Sequence, residues 1–299
     1  MDRLEAMSIL VAVAETGSLS AAGRRLNLPL SSVSRKISDL EAHLKTRLLT
    51  RTSRQAALTD SGRAYLAACR RILEDVAEAE RAAAGEYASP RGDLAITAPI
   101  VFGRRHVLPV VLEFLAAYPE VDIRLRLIDQ RVSLVEENID LALRIGPLAD
   151  SSLVALKLGT MRRVVVASPA YLERRGRPQT LEDLTQHDCI DRPTSLWTFG
   201  AAAPSRSRLD VNTAEAAIDA AIAGAGLAHA LLYQAVDAVR EGKLVILLER
   251  FEPEPWPVSL VHAGQGLLPL KLRAFLDFAA PALRTRLAGI GLSSQKTQG

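Results

Sequence analysis

Cysteine is nearly absent from this sequence, with only Cys69 and Cys189 in 299 residues. The two lie far apart and in no metal-ligand spacing, which excludes a disulfide framework and a zinc-site signature and fits a reducing cytoplasm. Long apolar runs are missing as well: no stretch of roughly 18 uninterrupted apolar residues occurs. The opening MDRLEAMSIL carries charges at positions 2, 3 and 5, so it offers no cleavable apolar segment. A cytoplasmic chain with no membrane partner is expected. The motifs of catalysis are also lacking: there is no phosphate loop, no HExxH, no CxxC pair and no serine-histidine elbow. The one GAG, Gly224 to Gly226, follows a helical stretch and not a strand, which makes it a poor dinucleotide fingerprint. No catalytic residue, cofactor or metal is expected.

What the chain does have is apolar material, 48% of its residues, enough for buried cores in two or three domains. It also has an uneven charge. Its formal net charge is only +3, yet Gly17 to Leu58 holds eight Lys and Arg against Asp39 and Glu41, a local +6, while the other 257 residues sum to −3. Net charge over the whole chain argues for no particular partner; the local concentration matters more.

That basic stretch reads as two short amphipathic helices around a tight turn. Leu4, Met7, Leu10, Val11, Val13 and Ala14 first build an apolar stripe on a preceding helix that Gly17 stops. Ser18 can cap a second helix through about Leu26; Asn27, Leu28 and Pro29 break it. Ser31 or Ser32 can then cap a third helix, whose Val33, Ile37, Leu40 and Leu44 share one face. Ser34, Arg35 and Ser38 face elsewhere. A helix of this width fits the major groove, where hydroxyls and a forked guanidinium can bond base edges and phosphates. Ser31, Ser32, Ser34 and Arg35 are the base-side candidates; the competing reading is an ordinary solvated helix. Arg47 to Thr59 alternates like a hairpin, a wing that would carry Arg51 and Arg54 to a phosphate or the minor groove, or else a solvated loop.

Thr59 or Asp60 can cap a long helix in which Tyr65, Cys69, Ile72, Val76, Ala79 and Ala83 follow heptad spacing. Such a slim seam fits a second copy of the chain in a dimer, or packing against the chain's own next domain. GEYASPRGD, Gly85 to Asp93, breaks the helical pattern. Beyond it strands and helices alternate, beginning with Leu94 to Thr97, Arg104 to Tyr118 and Val121 to Leu127 and ending in an amphipathic helix from Leu270 to Leu287, which is an α/β pattern. Ser293 to Gly299 is a polar tail of disordered composition.

Met1 to about Ala84 resembles the N-terminal half of LysR-type transcriptional regulators, and the stretches ITAPIVFGRRHVLPVVLEFLAAYPEVDIRL, ENIDLALRIGPLADSSL and RRVVVASPAYL look like the effector-binding domain of the same family. The resemblance implies an α+β two-part chain: a winged helix-turn-helix over 1–59, a linker and dimerisation helix over 60–84, a hinge over 85–92, and a periplasmic-binding-protein-like α/β domain over 93–288. That domain would have subdomain I at 93–159 plus 267–288 and subdomain II at 160–266, with a flexible tail at 289–299. It implies a regulator that binds an inverted repeat in promoter DNA as a homotetramer or dimer, works with RNA polymerase, and responds to a small-molecule effector in the cleft between subdomains.

Carried over by resemblance, the base-contacting positions fall on Leu30, Ser31, Ser32, Ser34 and Arg35, and the wing arginine on Arg54. Leu30 departs from the polar residue many members carry: it can touch a thymine methyl but cannot read donors and acceptors. The cleft positions fall on Thr97, Ala98, Phe102, Asp129, Arg144, Trp197, Thr213 and His229. Helix N-termini facing the cleft would favour a carboxylate effector. Against these stand plainer readings: Arg144 paired with a carboxylate, Trp197 as core, His229 as a packed histidine. The rival functions are an architectural DNA-binding protein, which leaves the α/β half without purpose, a sensing regulator of another bacterial family, against which the long heptad helix speaks, and an enzyme.

Overall fold

A computed structural model describes residues 2–51, 56–83, 89–134, 136–148, 153–191, 207–264 and 268–291. The chain divides after Gly92 into two compact units.

In the first unit, α1 (Arg3–Thr16) begins where the Asp2 carboxylate accepts from the Leu4 and Glu5 amides and ends at Gly17, which is left-handed at φ 68°. Ser18 Oγ accepts from the Ala21 amide to start α2 (Leu19–Leu26), and Asn27 closes it, also left-handed. At Gly23 the helix touches the turn: a Cβ there would lie 2.8 Å from the Leu28 carbonyl oxygen, so only glycine lets α2 and the turn close up. α3 (Leu30–Leu44) then starts from Pro29, extended at φ −59° and ψ 144°, with no side-chain cap. This corrects the expected serine cap. Proline's fixed φ steers the chain into the helix two or three residues earlier, which puts Ser31 and Ser32 inside the first turn.

The two strands β1 (Leu49–Arg51) and β2 (Ala56–Leu58) form the expected hairpin, antiparallel, with Leu49 opposite Leu58. Thr59 Oγ1 accepts from the Gly62 amide at 2.9 Å and caps α4 (Asp60–Ala83). Ala6, Ile9, Leu10 and Val13 of α1 meet Val33, Ile37 and Leu40 of α3, Leu48 and Leu49, and Leu66 and Cys69 of α4 in one core. Each fully buried aliphatic side chain there contributes about 1.5–3 kcal/mol of transfer free energy.

The second unit has two lobes, each built on a five-stranded sheet. The first lobe uses β3 (Gly92–Ala98), β4 (Val121–Leu127), β5 (Leu141–Ile145), β6 (Val154–Met161) and, from much later in the chain, β12 (Trp256–His262). Their order is β4-β3-β5-β12-β6, with β3 parallel to β5 and β12 antiparallel to both its neighbours. A helical run covers one face: α5 (Ile100–Phe102), a π-helical stretch (Gly103–Val107) and α6 (Leu108–Ala117), together with α10 (Leu270–Ile290). The second lobe uses β7 (Arg163–Ala167), β8 (Cys189–Asp191), β9 (Ser207–Asp210), β10 (Leu227–Leu231) and β11 (Val245–Leu247), in the order β11-β7-β10-β8-β9. α7 (Pro169–Arg175), α8 (Ala214–Ile222) and α9 (Leu232–Arg240) belong to it.

The expected lobe boundary needs correction. The expected second lobe, residues 160–266, runs too far, because β12 joins the first sheet and the chain returns between β11 and Trp256. The two crossings meet at one arginine. Arg162, between β6 and β7, donates to both Glu252 carboxylate oxygens at 2.8 and 2.7 Å and to Glu249 at 3.2 Å. These carboxylates hold the Arg162 pKa above its ordinary value, mainly through the Glu252 hydrogen bond. Phe102 meets Tyr233 edge-on at 5.2 Å, and Arg105 pairs with Asp237 at 2.6 Å, so the lobes also touch beside α9.

Candidate nucleic-acid interface and ligand cavity

α3 has two unlike faces. Val33, Ile37 and Leu40 are fully buried, whereas Leu30 is 51% exposed and Ser31, Arg35 and Ser38 are exposed. Ser32 and Ser34 are partly covered. Neighbouring charges are already engaged: Lys36 pairs with Glu5 of α1, and Arg25 and Arg70 both reach Glu15, at 2.6 and 3.5 Å. Arg35 points outward from the same helix. An exposed row of short hydroxyls, one guanidinium and one leucine is suited to hydrogen-bonding base edges and touching a thymine methyl.

The hairpin is fastened to this helix by a residue that pattern reading overlooked. Glu41 Oε1 accepts from the Leu48 and Leu49 amides, at 2.8 and 3.0 Å. One of the two acids in the basic stretch therefore anchors the wing to α3. Its signal in the sequence was its very isolation among cations. Arg54 and the side chain of Arg51 lie outside the described residues.

The heptad seam divides along α4. Tyr65 and Cys69 pack into the core against α1, and burial pushes the Cys69 thiol up to about 11. Ile72 is 39% exposed, Val76 is partly covered and Ala79 is exposed; the Ala83 side chain is not among those described. The upper seam is thus core, and the lower seam presents an open apolar edge.

In the second unit a cavity of about 390 Å³ opens at one end of the first sheet, lined by apolar side chains together with Asp129, Arg131 and Arg144. Of the expected effector positions, Asp129 and Arg144 line it. Thr97 and Ala98 are buried in β3 nearby, and Phe102 is buried in the packing between lobes. Thr213 is elsewhere, its hydroxyl accepting from Ala216 as the cap of α8, and His229 is buried in β10 of the second sheet. Trp197 falls outside the described residues. The helix-terminus argument for an anion meets an obstacle, because Asp129 Oδ1 already accepts the Ile100 amide at 3.0 Å. A carboxylate occupies the place a ligand carboxylate would take.

A helix-turn-helix unit followed by a two-lobed α/β unit defines a DNA-binding regulator with a ligand-binding module. The model of the bacterial regulatory helix-turn-helix protein, lysR family, matches residues 4–63, and that of the LysR substrate binding domain matches residues 88–284. The chain belongs to this family: it is a LysR-type transcriptional regulator with a DNA-binding helix-turn-helix and an effector-binding domain. An HTH-type transcriptional regulator of Haemophilus influenzae is 34% identical, over 91% of this chain and 98% of its own. The solved structure of CrgA, a LysR-type transcriptional regulator from Neisseria meningitidis, is 31% identical with a TM-score of 0.58, covering 93% of this chain and 98% of that one. Full-length AphB, a virulence activator of Vibrio cholerae, has 27% identity and a TM-score of 0.59 over 93% and 98% of the two chains. Among the described residues no helix is long and apolar enough to cross a membrane.

Proposed function

We propose that this protein binds a specific promoter sequence, an interrupted inverted repeat, through α3 and the wing, as a dimer or a dimer of dimers joined along the lower half of α4. A small molecule held in the second unit tunes that binding. The observation that carries the reading is the outward face of α3, where Leu30, Ser31 and Arg35 stand exposed opposite a fully buried Val33, Ile37 and Leu40. The open edge at Ile72 and Ala79 supports self-association, which would place two reading helices one or more DNA turns apart. The test is an electrophoretic shift on DNA from upstream of the protein's own coding sequence, with unrelated competitor in excess. A complex that survives the competitor and weakens with salt is expected; a complex that unrelated DNA displaces equally well would refute the reading.

A further inference from the structure

The cavity lies in the first lobe, and strand register explains its character. Thr97 of β3 sits beside Ala142 of β5, Val261 of β12 sits across from Ala142, and Ser259 from Arg144. Alternate residues of a strand share a face, so these five lie together, while Ile96, Leu141, Leu143 and Leu260 fill the core on the opposite side. Gly146, just past β5, adopts φ +115° and brings the backbone against Trp256, 3.2 Å from where a Cβ would be.

Two guanidiniums and the Asp129 carboxylate enter this otherwise apolar basin. Arg144 is partly buried and spends one N–H on the Val132 carbonyl at 2.9 Å; Arg131 spends one on the Pro147 carbonyl at 2.8 Å. Among the described residues neither forms an ion pair with a carboxylate, and Asp129 has one oxygen committed to the Ile100 amide. Burial and the charge of Arg131 both push the Arg144 pKa down. Two like charges drawn together, with Arg144 partly out of water and Arg131 exposed, favour an anion that can stand between them. The Thr97 hydroxyl, fully buried and with no hydrogen-bond partner among the described residues, lies on the same sheet face.

We propose that the effector is a small organic anion with an apolar body, its carboxylate held by Arg144 and Arg131 and its body against Ile128, Val132, Leu134 and Leu148. The guanidinium fork suits a carboxylate, which it can meet with two parallel hydrogen bonds, and a cavity near the lower end of the usual ligand-site range suits a compact molecule. The inference rests on the reading of this unit as effector-binding, and it replaces a helix terminus with a pair of arginines as the anion's holder.

Calorimetric titration of the full chain with hexanoate, benzoate and 3-phenylpropionate, each against its neutral amide, tests it. At least one carboxylate should bind, its amide at least about tenfold more weakly, and Arg144→Gln should lose a similar factor. Arg131→Gln, at an exposed position where folding is not at stake, should weaken the same carboxylate. Amides that bind as well as acids, an unchanged affinity in R131Q, or no binding by any of the three acids would overturn the proposal. Should a neutral compound alter DNA binding while both variants respond normally, the anion site fails and effector control stands.

Discussion

At single residues the two faces of α3 are the most legible part of the chain. Helical spacing put Val33, Ile37 and Leu40 on one face, and all three are fully buried. What lies opposite them follows from geometry alone, which is why Arg35 could be marked as outward. Arg35→Ala should cost specific DNA binding about 1–3 kcal/mol, read as anisotropy of a labelled duplex; a variant as tight as the parent would show that α3 does not read bases. The ligand side was far less legible. Asp129 and Arg144 came from family likeness, but Arg131 was missed, since a charged residue in a loop after a strand looks like any solvated one. Asp129 caps Ile100 and Thr213 caps α8, uses of polar atoms that no spacing reveals.

Among elements, α4 shows what a heptad can and cannot tell. The spacing of Tyr65, Cys69, Ile72, Val76 and Ala79 fixed one apolar seam, but a seam does not say what covers it. α1 covers the first two, and the next three extend beyond the core. Substitutions should therefore part ways. Ile72→Asp should weaken self-association in sedimentation with little change in melting, whereas Cys69→Asp should destabilise the helix-turn-helix by several kcal/mol, roughly the cost of burying an unpaired charge before it neutralises. Equal effects on assembly from both would place the interface elsewhere. Four strands, β6, β8, β9 and β12, have no counterpart in the pattern, and for two of them the reason is identifiable. β12 carries Pro257 at its second position, a residue that demotes a strand, and its partners β5 and β6 are more than ninety residues earlier. β6 is an edge with several exposed positions, so its apolar alternation is weak.

For the molecule as a whole, the two-lobed unit depends on groups kept neutral. His106, His187 and His262 all titrate below the ordinary 6.5, each chiefly because burial disfavours the charged ring, with Arg286 and Arg105 adding to the effect at His106 and Arg175 at His187. The unfolded chain takes up these protons near 6.5 and the folded one only at lower pH, so stability present above 6.5 is lost as pH falls through the lowered values. Thermal melting should drop between about pH 7.5 and about pH 5.5, and a flat profile would mean these rings are not held neutral. The same chain carries a DNA-binding helix-turn-helix and a cavity in which, among the described residues, two guanidiniums form no ion pair. The most direct measurement is an anisotropy titration of the full chain on its upstream duplex and on a shuffled duplex of the same composition, across a range of salt. The upstream duplex should bind tighter by a factor of about a thousand or more, with both affinities falling as salt rises; equal affinity for the two sequences would contradict the account.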